Sequence, residues 1–178
     1  MTFSFDYIIV IKIELLYIGD DDILFGDTYQ LIHAASNKCL DIYDGATHNG
    51  ANVQIFRNHK GKNQLWVINA NEDDTVMLID PFSKKALDVF ESHTSDGTNV
   101  QIWTDNKSNA QKWYLKSLGN GVYKLIHAIS GKVLDTKGSA TSDETNVQIW
   151  SNNDSATQRW RLVLFRQSLG NAFAHILL

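Results

Sequence analysis

Apolar and polar residues alternate along this chain in short runs. Tyr29 to His33, Cys39 to Tyr43, Asn52 to Phe56 and Gln64 to Ile68 are rich in β-branched and aromatic residues. Turn-forming stretches separate them, such as Ala35-Ser36-Asn37-Lys38, the segment from Asp44 to Gly50, and Asn58-His59-Lys60-Gly61-Lys62. No 3.6-residue periodicity competes over this region, so each run is predicted to be a strand. Alternation then assigns faces. Leu40 and Ile42 share one side of their strand and Asp41 points to the other; Val53 and Ile55 share one side, with Gln54 and Phe56 opposite.

The pattern recurs at a fixed step of 47 residues. Asn52-Val53-Gln54-Ile55-Phe56 returns as Asn99-Val100-Gln101-Ile102-Trp103 and as Asn146-Val147-Gln148-Ile149-Trp150. Leu40-Asp41 returns as Leu87-Asp88 and Leu134-Asp135, and Gln64-x-Trp66 as Gln111-x-Trp113 and Gln158-x-Trp160. No insertion separates the copies, which points to a closed symmetric assembly in which every loop meets equivalent neighbours; an open array tolerates loop-length change and needs caps. Four strands in each of three copies make about twelve, an all-β fold. Trp66, Trp113 and Trp160 read as core rings.

Composition narrows the function. The chain has 178 residues, 43% of them hydrophobic, enough for one good core. A net charge of −4 and the lack of a Lys/Arg stripe exclude an electrostatic footprint for nucleic acid. One cysteine, Cys39, excludes an internal disulfide, and Ala86 and Val133 at its register in the other copies mark it as a small buried apolar residue. The six histidines lack metal-ligand spacing, and no nucleophile motif, nucleotide-binding glycine loop or paired-carboxylate glycosidase geometry is present.

Residues 1–26 lie outside the repeat as an N-terminal extension, and 166–178 form a tail that is a candidate short amphipathic helix. Phe3 to Ile18 is apolar but interrupted by Asp6, Lys12 and Glu14, without a basic leader or a small-residue cleavage site. That makes it a poor secretory signal and a poor membrane span, so a cytoplasmic or non-classically released protein is expected and membrane insertion is not. Asn106-Lys107-Ser108 and Asn153-Asp154-Ser155 are glycosylation acceptor patterns beside the repeated rings, which argues the same way.

Three copies of Leu-Asp, then Val-Gln-Ile-aromatic, then Gln-x-Trp resemble the ricin B-chain-type lectins, the QxW or R-type β-trefoils that include modules like carbohydrate-binding module family 13. The resemblance covers residues 27–165. It implies a β-trefoil: a six-stranded barrel closed by three hairpins, with pseudo-threefold symmetry and one shallow sugar site per copy. It also implies binding without catalysis or cofactor, of galactose, N-acetylgalactosamine or related sugars on glycoproteins, glycolipids or polysaccharides. Carried over residue by residue, the first site uses Asp41, Phe56, Asn63 and Gln64. The second uses Asp88, Trp103 and Gln111, and the third Asp135, Trp150 and Gln158. The Asn-Gln pair is complete only at Asn63-Gln64; Ala110 and Thr157 replace its asparagine, so Asn106 and Asn153 are the candidate amides there. The half-cystine of many relatives is replaced by Asn58, Asp105 and Asn152.

The chemistry suits a pyranose. A flat ring covers the sugar's C–H face, an ionised carboxylate accepts from two neighbouring hydroxyls, and an amide both donates and accepts. Two rival roles remain for such a chain. It is the glycan-targeting module of a toxin or glycoside hydrolase, or a trefoil protein-interaction module that inhibits a protease or binds actin. The symmetric acid-plus-ring set favours sugar over a protein partner, which is usually engaged asymmetrically.

Overall fold

The computed structural model describes residues 23–166. Copy one contributes β1 (Thr28–His33), β2 (Cys39–Ile42), β3 (Ala51–Phe56) and β4 (Trp66–Ala70). Copy two contributes β5 (Val76–Ile79), β6 (Lys85–Val89), β7 (Thr98–Thr104) and β8 (Trp113–Ser117). Copy three contributes β9 (Val122–His127), β10 (Val133–Thr136), β11 (Thr145–Trp150) and β12 (Trp160–Leu164). All pairings are antiparallel. The first and last strands of the copies close a ring in the order β1-β4-β5-β8-β9-β12 and back to β1. The inner strands form three hairpins, β2–β3, β6–β7 and β10–β11. These meet one another through β3–β7, β7–β11 and β11–β3 and close one end of the barrel. This is a β-trefoil.

The faces follow from alternation. Leu40, Ile42, Val53 and Ile55 enter the core with their counterparts from the other copies, except that Thr136 stands at the register of Ile42 in copy three, around the fully buried Trp66, Trp113 and Trp160. Each indole also donates from Nε1 to a backbone carbonyl of its own copy: Leu40 at 3.2 Å, Leu87 at 3.3 Å and Leu134 at 3.1 Å. The ring thereby buries its area and satisfies its polar atom, the condition for a stable buried Trp. On the axis, Asn52, Asn99 and Asn146 form a head-to-tail ring. Asn52 donates to Asn146 at 2.8 Å, Asn146 to Asn99 at 2.9 Å, and Asn99 to Asn52 at 3.0 Å.

Strand boundaries shift from the sequence reading by one or two residues. Gln64, Gln111 and Gln158 end 3-10 turns (Lys62–Gln64, Asn109–Gln111, Ala156–Gln158), and the strands begin two residues later, at the tryptophans. β2 stops at Ile42 because Tyr43–Gly45 turns, with Asp44 at φ 53°. The extension and the candidate tail helix lie outside the described residues, apart from 23–26 and Arg166. Among the described residues no helix is long and apolar enough to cross a membrane, and no three His, Cys, Asp or Glu side chains group to hold a metal.

Candidate functional site

Hairpin register builds the same cradle three times. Asp41 lies across from Gln54, Asp88 from Gln101 and Asp135 from Gln148. The aromatic residue two positions further on therefore shares the face of that pair. Cavities open there, of about 390 Å³ at Asp41 and Phe56, 200 Å³ at Asp88 and Trp103, and 150 Å³ at Asp135 and Trp150. Trp103 and Trp150 are each 39% exposed and Phe56 is half-buried, so the rings stand at the surface rather than in the barrel. The carboxylates sit at the pocket floors and are almost entirely buried.

A buried carboxylate must be held by donors, and the glutamines supply them. Gln54 Nε2 donates to Asp41 Oδ1 at 2.9 Å, and Gln101 to Asp88 Oδ1 at 3.0 Å. Gln64, Gln111 and Gln158 hold the second oxygen at 2.9, 3.0 and 2.8 Å. Each also donates to the carbonyl of the residue after the ring: Arg57, Thr104 and Ser151. Each accepts from the backbone N–H two residues further on, at His59, Asn106 and Asn153. These three glutamines are fully buried, behind the carboxylates and outside the cavity walls. They position the acid and the loop after the ring.

Asn63 reaches the first pocket and donates from Nδ2 to Asp41 Oδ2 and to the carbonyl of Ile42, both at 2.9 Å. Asn106 and Asn153 line the second and third pockets. Their Oδ1 atoms accept from Ser108 N and Ser155 N at 3.0 Å, which fixes each amide against its own loop. The third copy differs at its acid. Asp135 Oδ1 and Thr136 Oγ1 are buried without a partner among the described residues, and both residues line that cavity.

Burial raises the Asp41 and Asp88 carboxyls above their ordinary value, opposed in each case by the two glutamine hydrogen bonds and at Asp41 also by His59. A donor-rich ligand at the pocket floor would favour the charged form of both acids.

Several contributors were not read from the sequence. His59 Nε2 stands 3.4 Å from Asp41 Oδ2, with its ring edge-on to Phe56 at 5.9 Å. Its position is that of Asn106 and Asn153 in the 47-residue register, the signal that would have found it. Tyr43 and Phe90, two residues after their acids, add a second aromatic wall to the first and second pockets. The loop of each preceding copy braces each ring strand. Asn49 Oδ1 accepts from Thr104 N at 2.9 Å, Asp96 from Ser151 N at 2.7 Å and Asp143 from Arg57 N at 2.9 Å. Beside the two indoles the next residues are Gly50 and Gly97, whose Cβ would stand 3.9 and 3.7 Å from the rings. Beside the smaller Phe56 the equivalent is Glu144, which lines that pocket.

The family model described as the ricin-type beta-trefoil lectin domain matches residues 27–160, and the chain belongs to that family. It is a carbohydrate-binding β-trefoil. No curated protein matches the sequence. Among solved structures, the designed threefold-symmetric protein ThreeFoil is 39% identical with a TM-score of 0.76, covering 78% of this chain and 99% of that one. The exo-beta-1,3-galactanase 1,3Gal43A of Clostridium thermocellum is 28% identical with a TM-score of 0.77; the match covers 81% of this chain but only 31% of the galactanase. The Rhizoctonia solani agglutinin is 25% identical with a TM-score of 0.73, covering 81% of this chain and 99% of its own.

Proposed function

We propose that the protein is a non-catalytic, multivalent lectin for galactose or N-acetylgalactosamine glycans. The observation that carries the reading is the threefold recurrence of a glutamine-held carboxylate beside a surface ring at a pocket mouth. Galactose is supported by the galactanase, which by its name acts on a galactose polymer. A charged hydrogen bond contributes roughly 1.5–3 kcal/mol and a neutral one about 1. After the cost of association a single shallow site retains about −4 kcal/mol, in the millimolar range. Three sites on one body engage separate branches or separate glycans and raise apparent affinity by about 10²–10⁴.

The test is a glycan array with competition by free galactose, run on the protein and on the triple variant Asp41→Ala, Asp88→Ala, Asp135→Ala. Binding that galactose competes, and that the triple variant loses while its circular dichroism is kept, is the expected result. Full binding by the folded triple variant would overturn the site assignment. A second reading, as the glycan-targeting module of a larger hydrolase or toxin, is favoured by the match to under a third of the galactanase chain.

A further inference from the structure

We propose that the first pocket continues into a second saccharide subsite built on Phe82, so that copy one takes a disaccharide or longer glycan while the other copies take one sugar. The proposal rests on the lectin reading above. It begins with a cavity of about 270 Å³ next to the Asp41 cradle, lined by Ile42, Ala46, Thr47, Lys62, Asp80 and Phe82. This cavity and the first pocket share two wall residues, Gly45 and Asn63. They form the ridge between the two: a Cβ on Gly45 would stand 3.9 Å from that of Asn63. Copies two and three have Ser92 and Ser139 at the glycine's register, so the ridge is lowest in copy one.

The far wall is an aromatic with no core to join. Phe82 is 49% exposed, at the tip of the turn between β5 and β6. That turn is rigid, because the buried Asp80 accepts from Phe82 N at 3.1 Å and from Ser83 N at 2.9 Å. A half-exposed phenyl ring held by a fixed turn is a ready face for the C–H groups of a pyranose. Lys62 Nζ rests 4.7 Å from the ring centroid. An exposed lysine contact of this kind is weak and yields to a ligand, leaving an ammonium at the rim to donate to its hydroxyls. Ile42, Ala46 and the Thr47 methyl add apolar surface below.

The other copies lack the annex. Threefold symmetry places Ile129 and Ala35 where Phe82 stands beside the first pocket, and neither offers a flat ring. Their pockets are also about half the size of the first or less, at 200 and 150 Å³ against 390 Å³. Copy one, with the smaller ring in its primary pocket, therefore gains a second ring beyond it.

The test isolates site one in the full chain with Trp103→Ala and Trp150→Ala, then measures galactose and the 1→3, 1→4 and 1→6 galactobioses by calorimetry. At least one galactobiose is expected to bind roughly five- to tenfold more tightly than galactose. Adding Phe82→Ala should return it to the affinity of galactose while galactose itself is unchanged. Phe82→Ile, the isoleucine that copy three carries, should do the same and guards against a folding defect. A preference that survives both substitutions, or an equal loss for galactose and galactobiose, overturns the annex. Galactose binding without preference for any galactobiose removes the annex alone; no binding of any of these sugars sinks the galactose reading and the annex with it.

Discussion

Behind each pocket the three copies are nearly the same; at the rims they are not. The Asp, the buried glutamine that holds its Oδ2 and the core tryptophan recur at 47-residue steps with hydrogen bonds that differ by 0.2 Å at most. The rims carry Phe56, His59 and Asn63 in copy one, Trp103 and Asn106 in copy two, and Trp150 and Asn153 in copy three, the register of Asn63 being filled there by the buried Ala110 and Thr157. A buried donor or acceptor without its partner is costly, so the support tolerates little change, while a rim residue facing water is free to vary. One scaffold thereby presents three different pockets.

The contrast can be broken most forcefully in the core. Trp113→Ala should lose about 3–5 kcal/mol of unfolding free energy by urea denaturation. Trp103→Ala, ten residues away at a pocket mouth, should lose less than about 1 kcal/mol and abolish sugar binding at site two. Equal losses would mean that Trp103 is a core residue after all. Next comes Gln111→Ala, which strips a donor from Asp88 and an acceptor from Asn106 N and should cost about 1–3 kcal/mol. It should also weaken site two without touching ligand; unchanged affinity would remove its positioning role.

A pH titration sharpens the contrast further. Asp41 and Asp88 have raised folded values, so their stabilising contribution is complete below the ordinary carboxyl range and is lost as pH rises through the folded value. Binding runs the other way, because the hydroxyl acceptors are the ionised forms. Asp73, held down to about 2, and Asp96, Asp143 and Asp154, lowered by lysine partners, contribute stability that is lost only as pH falls through their depressed values. Affinity at sites one and two should therefore fall on acidification before the urea midpoint does. A midpoint that drops first would contradict this. The smallest effect is at Cys39, whose thiol burial pushes up to about 12. Iodoacetamide should label it only after unfolding, and Cys39→Val should shift stability by less than about 1.5 kcal/mol.

The threefold step and the alternation of Leu40-Asp41-Ile42 and Val53-Gln54-Ile55-Phe56 made the fold legible, because one buried face must repeat with period two. They also placed acid, glutamine and ring on a common face. Two kinds of feature stayed hidden. Gln64, Gln111 and Gln158 carry the same motif whether they touch ligand or support it, and only their burial decides. Contacts between segments far apart in the chain leave no mark in a local window. Lys124, in the run Val122-Tyr123-Lys124-Leu125, is 3% exposed because Asn152 and Asp154 receive its ammonium from a distant loop. Phe82 reads as a loop residue until the fold sets it beside another copy's pocket.

The asparagine ring on the axis has a consequence for how such a molecule comes together. Each amide gives to one neighbour and takes from the other, so two copies alone leave one donor and one acceptor unanswered. The circle shuts only when the third arrives. Its closure ties the three hairpins into one event, and a chain halted after two copies would hold a pair of dangling amides where the finished lectin has a lock.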